Sequence, residues 1–149
     1  MIGLLQRVTE ARVTVGGEVV AATGPGLLVL VAVTRDDTAA DVERLTERIL
    51  TYRVFANGQG RMNLSLLDLG HDLMLVPQFT LAADTRTGNR PGFSSAAAPD
   101  DGRRLYERFA ASLAAQGVTV ETGRFGADMT VRLVNDGPVT IWLDTADRA

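Results

Sequence analysis

Runs of apolar residues predict a sheet built from strands of two kinds. Residues 2–15 alternate imperfectly between apolar and polar positions, and the break at Thr9-Glu10 predicts a β-bulge. Gly16-Gly17 then provides a two-residue hairpin turn into a strand over residues 18–22. Residues 27–33 are apolar throughout, which predicts a strand buried on both faces. Four further strands are predicted over residues 73–79, 118–122, 129–134 and 139–144.

Two segments have the apolar spacing of amphipathic helices. The first begins at Asp36-Asp37-Thr38, whose side-chain oxygens suit a helix N-terminus, and runs to about Arg53. The second begins at Pro99 and ends before Gly117, a common C-terminal stop. Residues 62–69 fit a short strand or an irregular segment. This order of elements predicts an α+β fold: one domain over residues 1–149, with a mostly antiparallel or mixed, barrel-like sheet and two main helices.

The composition excludes several kinds of chemistry. The 149 residues, 46% hydrophobic and 22% charged, are typical of one soluble globular domain. The absence of Cys and Lys excludes thiolate nucleophiles, Cys-ligated zinc, Schiff bases and a P-loop lysine. One histidine cannot build a multi-His metal site, which leaves only carboxylate sites for hard cations open. We expect neither a metal nor a cofactor.

Charge and hydropathy limit the partners. The net charge is −3, whereas proteins that grip a long nucleic-acid backbone carry a basic excess. We therefore expect no DNA binding and only a small, local RNA contact. The longest apolar run, residues 27–33, is too short to span a bilayer, and no secretory signal follows Met1. These features predict a cytoplasmic protein without a membrane partner.

A conventional hydrolase site is not recognisable. His71 lies in Leu69-Gly70-His71-Asp72, a composition typical of an exposed turn. The chain has no Gly-x-Ser-x-Gly motif, and no Ser pairs recognisably with His and Asp. We therefore predict that His71 is not catalytic.

Two polar stretches remain as candidate binding loops, and our hypothesis is that they form one site. Gln78-Phe79-Thr80 follows a predicted strand and leads into a loop rich in Gly, Thr, Arg and Pro, and such loops often carry binding groups. Asn135-Asp136-Gly137-Pro138 lies between two predicted strands. Both have simpler interpretations: the first as the end of a half-buried strand with Phe79 in the core, the second as a hairpin turn.

The motifs become more specific in combination. They are Gln6-Arg7-Val8, Gly26-Leu27-Leu28-Val29-Leu30, Met62-Asn63-Leu64, Gln78-Phe79-Thr80-Leu81-Ala82-Ala83-Asp84, Arg90-Pro91, Thr122-Gly123-Arg124-Phe125 and Asn135-Asp136-Gly137-Pro138-Val139-Thr140. Over nearly its whole length the chain thus resembles the bacterial-type D-aminoacyl-tRNA deacylases. The resemblance implies a homodimer that hydrolyses the ester joining a D-amino acid to the terminal adenosine of tRNA. Glycine mischarged on tRNA is implied as a further substrate.

The resemblance also implies how the enantiomers are distinguished. The Gly137-Pro138 bond would be cis, and the motif would reach into the active site of the other subunit. Rigid main-chain carbonyls there would capture the amino group and leave no space for an L side chain, which is selection by exclusion. Glycine, which has no side chain to exclude, would be accepted.

Further roles follow from the same resemblance. Gln78, Phe79 and Thr80 would be the catalytic stretch: backbone N–H groups around Phe79 and Thr80 would stabilise the oxyanion, and Thr80 would position substrate or water. The 2′-hydroxyl of the terminal adenosine would assist the reaction. Phe125 and Met129 would form the adenosine pocket.

Arg7 would hold the Gly137-Pro138 unit in place. One departure concerns Pro77, because the family usually has a hydroxyl residue at that position. Pro77 supplies neither a hydroxyl nor a backbone N–H, and it predicts a strand end or an edge position. The missing hydroxyl leaves open the hypothesis of an inactive module that binds the tRNA end. The acidic net charge motivates another hypothesis, an α+β oligomer with a structural or small-molecule-binding role.

Overall fold

The computed structural model describes residues 1–147, which contain eight strands, three α-helices and one 3₁₀ turn. The strands are β1 (Ile2–Val15), β2 (Glu18–Thr23), β3 (Gly26–Ala32), β4 (Phe55–Ala56), β5 (Met62–Leu64), β6 (Asp72–Pro77), β7 (Val120–Thr122) and β8 (Thr130–Asp144). The helices are α1 (Ala39–Thr51), α2 (Leu66–Leu69) and α3 (Pro99–Ala115), and the 3₁₀ turn covers Phe79–Ala82.

Strand β1 organises the main sheet. Its first half pairs with β3, its second half pairs with β2, and β8 runs antiparallel along its other edge. Strands β3, β6 and β7 are parallel, so the sheet is mixed. Strand β2 also contacts β6 and β7, which curls the sheet into a nearly closed barrel. The predicted α+β class with a mixed, barrel-like sheet and two main helices is confirmed.

Two hydrophobic clusters cover the two faces of the sheet. One joins the sheet to α1 and α3, through residues such as Leu5, Val29 and Phe109. The other fills the inside of the barrel and includes Leu28 and Met74. Strand β3 contributes to both clusters because its alternate side chains point to opposite faces. This confirms the prediction that it is buried on both faces.

The two long helices form as their apolar spacing predicts. In α1 the buried face includes Val42, Leu45 and Ile49, and the N–H of Thr38 donates to Asp41 Oδ2 at 2.9 Å, which closes the N-terminus. Helix α3 begins with Pro99, whose missing N–H needs no partner in a first turn. No helix within residues 1–147 is long and apolar enough to cross a membrane.

The structure corrects the predicted hairpin at residues 135–138. The chain does not reverse there: the two predicted strands are one strand, β8, which pairs with β1 from Thr130 to Asp144. The pairing register shifts between Gln6 and Val8 and again between Val8 and Glu10. Residues typical of a turn are therefore used in an irregular stretch inside a strand. The bulge predicted at Thr9-Glu10 is confirmed.

Two other boundaries differ from the prediction. Residues 62–69 form strand β5 and then helix α2, because Ser65 and Asp68 cap each other: the Asp68 N–H donates to Ser65 Oγ at 3.2 Å, and the Ser65 N–H donates to Asp68 Oδ2 at 2.8 Å. Strand β6 ends at Pro77 rather than at Phe79. Pro77 thus lies at a strand end, as predicted.

Candidate functional site

An apolar cavity of about 460 Å³ opens where the parallel strands β3, β6 and β7 end. This volume lies in the range of small-ligand pockets, about 300–1,000 Å³. Its lining includes Pro77, Gln78 and Phe79 after β6, and Phe125 and Met129 after β7. The stretch for which the resemblance implies catalysis and the segment for which it implies adenosine binding therefore border one cavity.

The stretch after Pro77 leaves the sheet in a tight turn. The N–H of Gln78 donates to Val31 O at 2.7 Å and is the last link to β3. The first N–H groups of a helical turn have no acceptor inside it, and those of Phe79 and Thr80 donate to no other acceptor in residues 1–147. The Gln78 side-chain amide donates to Thr80 Oγ1. Two adjacent backbone donors and one held hydroxyl thus come together at this point.

Phe79 lies at the surface, not in the core. Its side chain is 60% exposed, and its ring centre is 5.0 Å from that of Phe93. The interpretation of this stretch as the end of a half-buried strand with Phe79 in the core is therefore wrong. Because β6 ends at Pro77, Phe79 begins the 3₁₀ turn and its ring points away from the barrel core.

Phe125 and Met129 face the cavity from the connection between β7 and β8. The connection follows closely on β7, where the Gly123 N–H donates to Leu75 O at 2.9 Å. A Cβ atom on Gly123 would lie 2.8 Å from Met129 Sδ, a distance that real contacts do not show. Glycine at this position therefore leaves the space that the Met129 side chain occupies.

Helix α3 supplies a wall of the cavity that sequence reasoning missed. Tyr106 packs against Phe125 with ring centres 5.7 Å apart, and its hydroxyl donates to Leu75 O at 3.3 Å. Burial raises the pKa of Tyr106 far above its usual range, so the phenol stays neutral and acts as a donor. Gly102 lies one turn earlier, with its Cβ position 3.5 Å from the Phe125 ring. The spacing of Gly102 and Tyr106 on the buried helix face was the available signal.

Arg7 and Asn135 hold the backbone around Gly137 and Pro138, whose peptide bond is cis. The Arg7 guanidinium donates from Nε to Asp136 O at 3.1 Å and from Nη1 to Val54 O at 2.8 Å. The Asn135 side-chain amide donates to Arg7 O at 2.9 Å and to Val139 O at 3.0 Å. Backbone carbonyls on both sides of the Gly-Pro unit therefore have defined partners.

The Gly137-Pro138 unit does not meet the Gln78–Thr80 turn within one chain. Gln78 is bonded to Val31, which pairs with Gly3, whereas Asn135 pairs with Val8. Five residues of a strand separate these two positions of β1, a distance of about 16 Å. The structure therefore places Gln78, Phe79, Phe125 and Met129 around one cavity, with Thr80 next to Phe79 in the turn. It places Arg7, Gly137 and Pro138 together at a second position.

The loop after the 3₁₀ turn is closed by backbone and side-chain bonds. The N–H of Asp84 donates to Gly92 O at 2.7 Å, and the N–H of Gly92 donates to Asp84 O at 3.0 Å. Arg86 donates to both Asp84 carboxylate oxygens, at 2.9 and 2.8 Å. These hydrogen bonds from Arg86 lower the pKa of Asp84 to about 2. Arg86 therefore closes the base of its own loop.

His71 lies away from the cavity, at the opposite end of β6. It is half-buried rather than exposed, and its ring contacts Phe55 edge-on with centres 5.4 Å apart. Six residues of strand separate it from Pro77, about 20 Å. Within residues 1–147, no group of three or more His, Cys, Asp or Glu side chains is placed to hold a metal ion.

Comparisons with known proteins agree with one another. Residues 4–144 match the family described as D-Tyr-tRNA(Tyr) deacylase. A protein of Ruegeria pomeroyi named D-aminoacyl-tRNA deacylase is 62% identical over 144 residues, covering 97% of this chain and 99% of its own. A Paracoccus denitrificans protein with the same name is 58% identical over 149 residues, covering 100% of both chains. Among solved structures, a protein named c-Myc DNA unwinding element binding protein has a TM-score of 0.92 at 37% identity, over 97% of this chain and 99% of that one.

Proposed function

This chain belongs to the D-Tyr-tRNA(Tyr) deacylase family, and we propose that it hydrolyses the ester bond of D-aminoacyl-tRNA. Water adds to the ester carbonyl, the bond to the 3′-oxygen of the terminal adenosine breaks, and free tRNA and a free D-amino acid are released. The observation that carries the proposal is the apolar cavity lined by Gln78 and Phe79, next to a turn in which the N–H groups of Phe79 and Thr80 have no acceptor within residues 1–147. Such an enzyme acts in the cytoplasm, where tRNA is charged.

The cavity accounts for binding of the tRNA end. Phe125 and Met129 provide an apolar, polarisable wall for the adenine ring, and Tyr106 supports Phe125 from behind. The net charge of −3 matches a contact limited to the end of the RNA. Recognition then depends mainly on the terminal nucleoside.

The turn after Pro77 accounts for the chemistry. The N–H groups of Phe79 and Thr80 stabilise the oxyanion that forms when water attacks, because donors fixed in advance require no reorganisation. Gln78 holds the Thr80 hydroxyl, which positions substrate or water. Residues 78–80 contain no side chain that titrates near neutral pH. We propose, as the resemblance implies, that the 2′-hydroxyl of the adenosine assists the reaction. Substrate ending in 2′-deoxyadenosine tests this assignment.

We assign chiral selection to the cis Gly137-Pro138 unit of a second subunit. Its carbonyls bind the substrate amino group and occupy the space that an L side chain needs, so D-amino acids and glycine are accepted. Gly137 has φ +128°, and a Cβ atom there would lie 2.9 Å from Val139 Cγ2 and 3.0 Å from Arg7 Nη2. Glycine is therefore required for this backbone path.

We propose a homodimer with shared sites, and the separation of about 16 Å along β1, estimated above from the strand rise, supports it. Strand β8 pairs only with β1 among the strands in residues 1–147, which leaves its second edge open. Val134 and Trp142 are exposed on β8, at 48% and 49%. A long open edge with exposed apolar side chains is a suitable surface for a second copy.

Mixing two inactive variants tests the shared site. Thr80→Ala removes the hydroxyl that the Gln78 side chain holds. Gly137→Ala adds a Cβ atom that would lie 2.9 Å from Val139 Cγ2 and so disturbs the chiral unit. In a mixed dimer with shared sites, one site carries both changes and the other carries neither. Random exchange makes half of the dimers mixed, so about a quarter of the wild-type sites should return. A mixture that stays as inactive as its components contradicts the shared site.

Turnover of D-aminoacyl-tRNA by the purified protein tests the activity itself. Hydrolysis of the D form and of glycyl-tRNA, with L-aminoacyl-tRNA spared, is the expected result. Efficient hydrolysis of L-aminoacyl-tRNA with none of the D form contradicts the proposal. Tight binding of a D-aminoacyl-adenosine analogue without turnover would support the alternative of an inactive tRNA-end-binding module, which Pro77 favours because it brings no hydroxyl to the site.

A further inference from the structure

Arg103, near the start of α3, lies against two residues that line the cavity. Its guanidinium carbon is 4.9 Å from the centre of the Phe125 ring, and its Nη2 atom is 3.9 Å from the Cβ position of Gly126. Both Phe125 and Gly126 line the cavity. The Arg103 side chain therefore covers the outer edge of the nucleoside pocket while remaining exposed to solvent.

The charge of Arg103 is not neutralised by the protein. No carboxylate in the described part of the chain lies within 4.0 Å of it. Glu107, one helical turn later, and Asp128, on the cavity lining, are both beyond that distance. By contrast, its neighbour Arg104 lies 3.6 Å from Asp101. A free cation at this place is notable in a chain of net charge −3.

Stacking on Phe125 uses the flat face of the guanidinium and leaves the N–H groups in its plane available. Those donors match the geometry of a phosphate group. A nucleoside inside the cavity is joined to the rest of its RNA through the 5′-phosphate, which has to leave by the mouth. The first anionic group of the substrate outside the pocket therefore passes the side chain of Arg103.

We propose that Arg103 binds the phosphate that joins the terminal adenosine to the preceding nucleotide. This inference rests on the proposed function, because it needs the terminal adenosine in the cavity. Arg103 then distinguishes aminoacyl-tRNA from an aminoacyl-nucleoside that lacks the phosphate. Its stacked face also keeps Phe125 against Tyr106, so one side chain contacts both the pocket wall and the RNA backbone.

The test compares two substrates and two variants. The substrates are D-tyrosyl-tRNA and 3′-O-D-tyrosyl-adenosine, which carries no phosphate. Arg103→Gln removes the charge and keeps a planar, polar group, and Arg104→Gln is the matched control, one residue later on the same helix and paired with Asp101. The kcat, the KM and the salt dependence of KM are measured for each combination.

For Arg103→Gln we expect the KM for D-tyrosyl-tRNA to rise about tenfold, as one charge-assisted hydrogen bond is lost. The KM for the nucleoside substrate should rise far less, and kcat should change little. The slope of log KM against log salt should fall by about 0.7, the value for one single-strand phosphate contact. Arg104→Gln should reproduce none of these changes.

Equal increases in KM for both substrates would overturn the phosphate contact, because they would mean that Arg103 acts only through Phe125. An unchanged KM and salt slope for the tRNA substrate would overturn it as well. A wild-type protein that hydrolyses neither substrate overturns the proposed function, and the inference fails with it. If the wild-type protein hydrolyses both substrates, a KM increase in Arg103→Gln that is confined to the tRNA substrate supports the phosphate contact.

Discussion

Replacing Gly123 by alanine tests whether Met129 forms the wall of the substrate pocket. The new Cβ atom would lie 2.8 Å from Met129 Sδ and 3.5 Å from Pro77 Cδ. The backbone of Gly123 is outside the left-handed region, so alanine itself strains no dihedral angle. The strand end that carries Gly123 is bonded to Leu75, whereas a methionine side chain is flexible. Met129 should therefore move, and the free space beside it is the cavity.

The expected magnitude separates stability from activity. Overpacking costs about 1–3 kcal/mol in a rigid core, and replacing glycine at a compatible position returns about 0.4–1 kcal/mol by restricting the unfolded chain. Because Met129 has the cavity to move into, we expect a net loss of stability below about 1 kcal/mol. The displaced sulfur then competes with the substrate, and a loss of about 1.4 kcal/mol in transition-state binding lowers kcat/KM about tenfold.

Release of D-tyrosine from D-tyrosyl-tRNA gives kcat/KM, and thermal unfolding gives stability. Gly24→Ala is the matched control, because Gly24 also lies outside the left-handed region and a Cβ atom there meets nothing within 4 Å. A double-mutant cycle with Met129→Ala identifies the cause: the effect of Gly123→Ala should largely disappear when the sulfur is absent. Equal losses in both backgrounds, or full activity in the single variant, would refute the assignment of Met129 to the pocket.

Three further predictions concern His71, the 2′-hydroxyl of the substrate and the loop after the 3₁₀ turn. His71→Ala should keep kcat/KM within about twofold, because the side chain lies far from the cavity. It should lose about 1 kcal/mol of stability with the T-shaped contact to Phe55. A large loss of catalysis in a folded variant would contradict this. Substrate with a terminal 2′-hydrogen should react about a hundredfold more slowly or worse, and equal single-turnover rates would contradict RNA-assisted chemistry. Arg86 lowers the pKa of Asp84, so the stability that this ion pair gives the loop is complete above the ordinary pKa of 3.8 and is lost as pH falls through about 2. The Gly92 amide should therefore stay protected from hydrogen exchange at pH 4. An Asp84 carboxyl resonance that titrates near 3.8 would contradict the ion pair.

Local patterns predicted the elements whose burial is periodic. The apolar run in β3 and the spacing of Val42, Leu45 and Ile49 in α1 each have one plausible structure, because their hydrophobic faces must be covered. The irregular stretch in β8 was mistaken for a hairpin, because Asn, Asp, Gly and Pro favour any sharp change of backbone direction. Only the pairing of both halves with β1 distinguishes the two structures, and that pairing is a long-range property.

The same distinction applies to the cavity. The stretch from Gln78 to Thr80 was found from the sequence, because its residues are consecutive and form a recognisable motif. Gly102 and Tyr106, which line the cavity, and Arg103, which stacks on Phe125, were missed, because these contacts form only when α3 packs beside the end of β7. In the sequence pattern of the helix, Gly102 and Tyr106 belong to the buried face and Arg103 to the solvent-exposed face. Their contacts with Phe125 depend on tertiary packing alone.

In the proposed homodimer, strand β1 links the two parts that each chain contributes to the shared sites. Gly3 of β1 pairs with Val31, and the Val31 carbonyl accepts the hydrogen bond from the Gln78 N–H. Arg7, also on β1, donates to Asp136 O beside the Gly-Pro unit. Under two-fold symmetry, a contact from one chain's Gly137 to the other's Gln78 requires the reciprocal contact, so one axis completes both sites. In the proposed dimer, the spacing of these two positions along β1 helps to set the distance from the Gly137-Pro138 unit of one chain to the cavity of the other. A change at Arg7 that frees Asp136 should therefore weaken discrimination against L-aminoacyl-tRNA more than it weakens dimerisation, and kinetics on both enantiomers combined with sedimentation would measure the two effects separately.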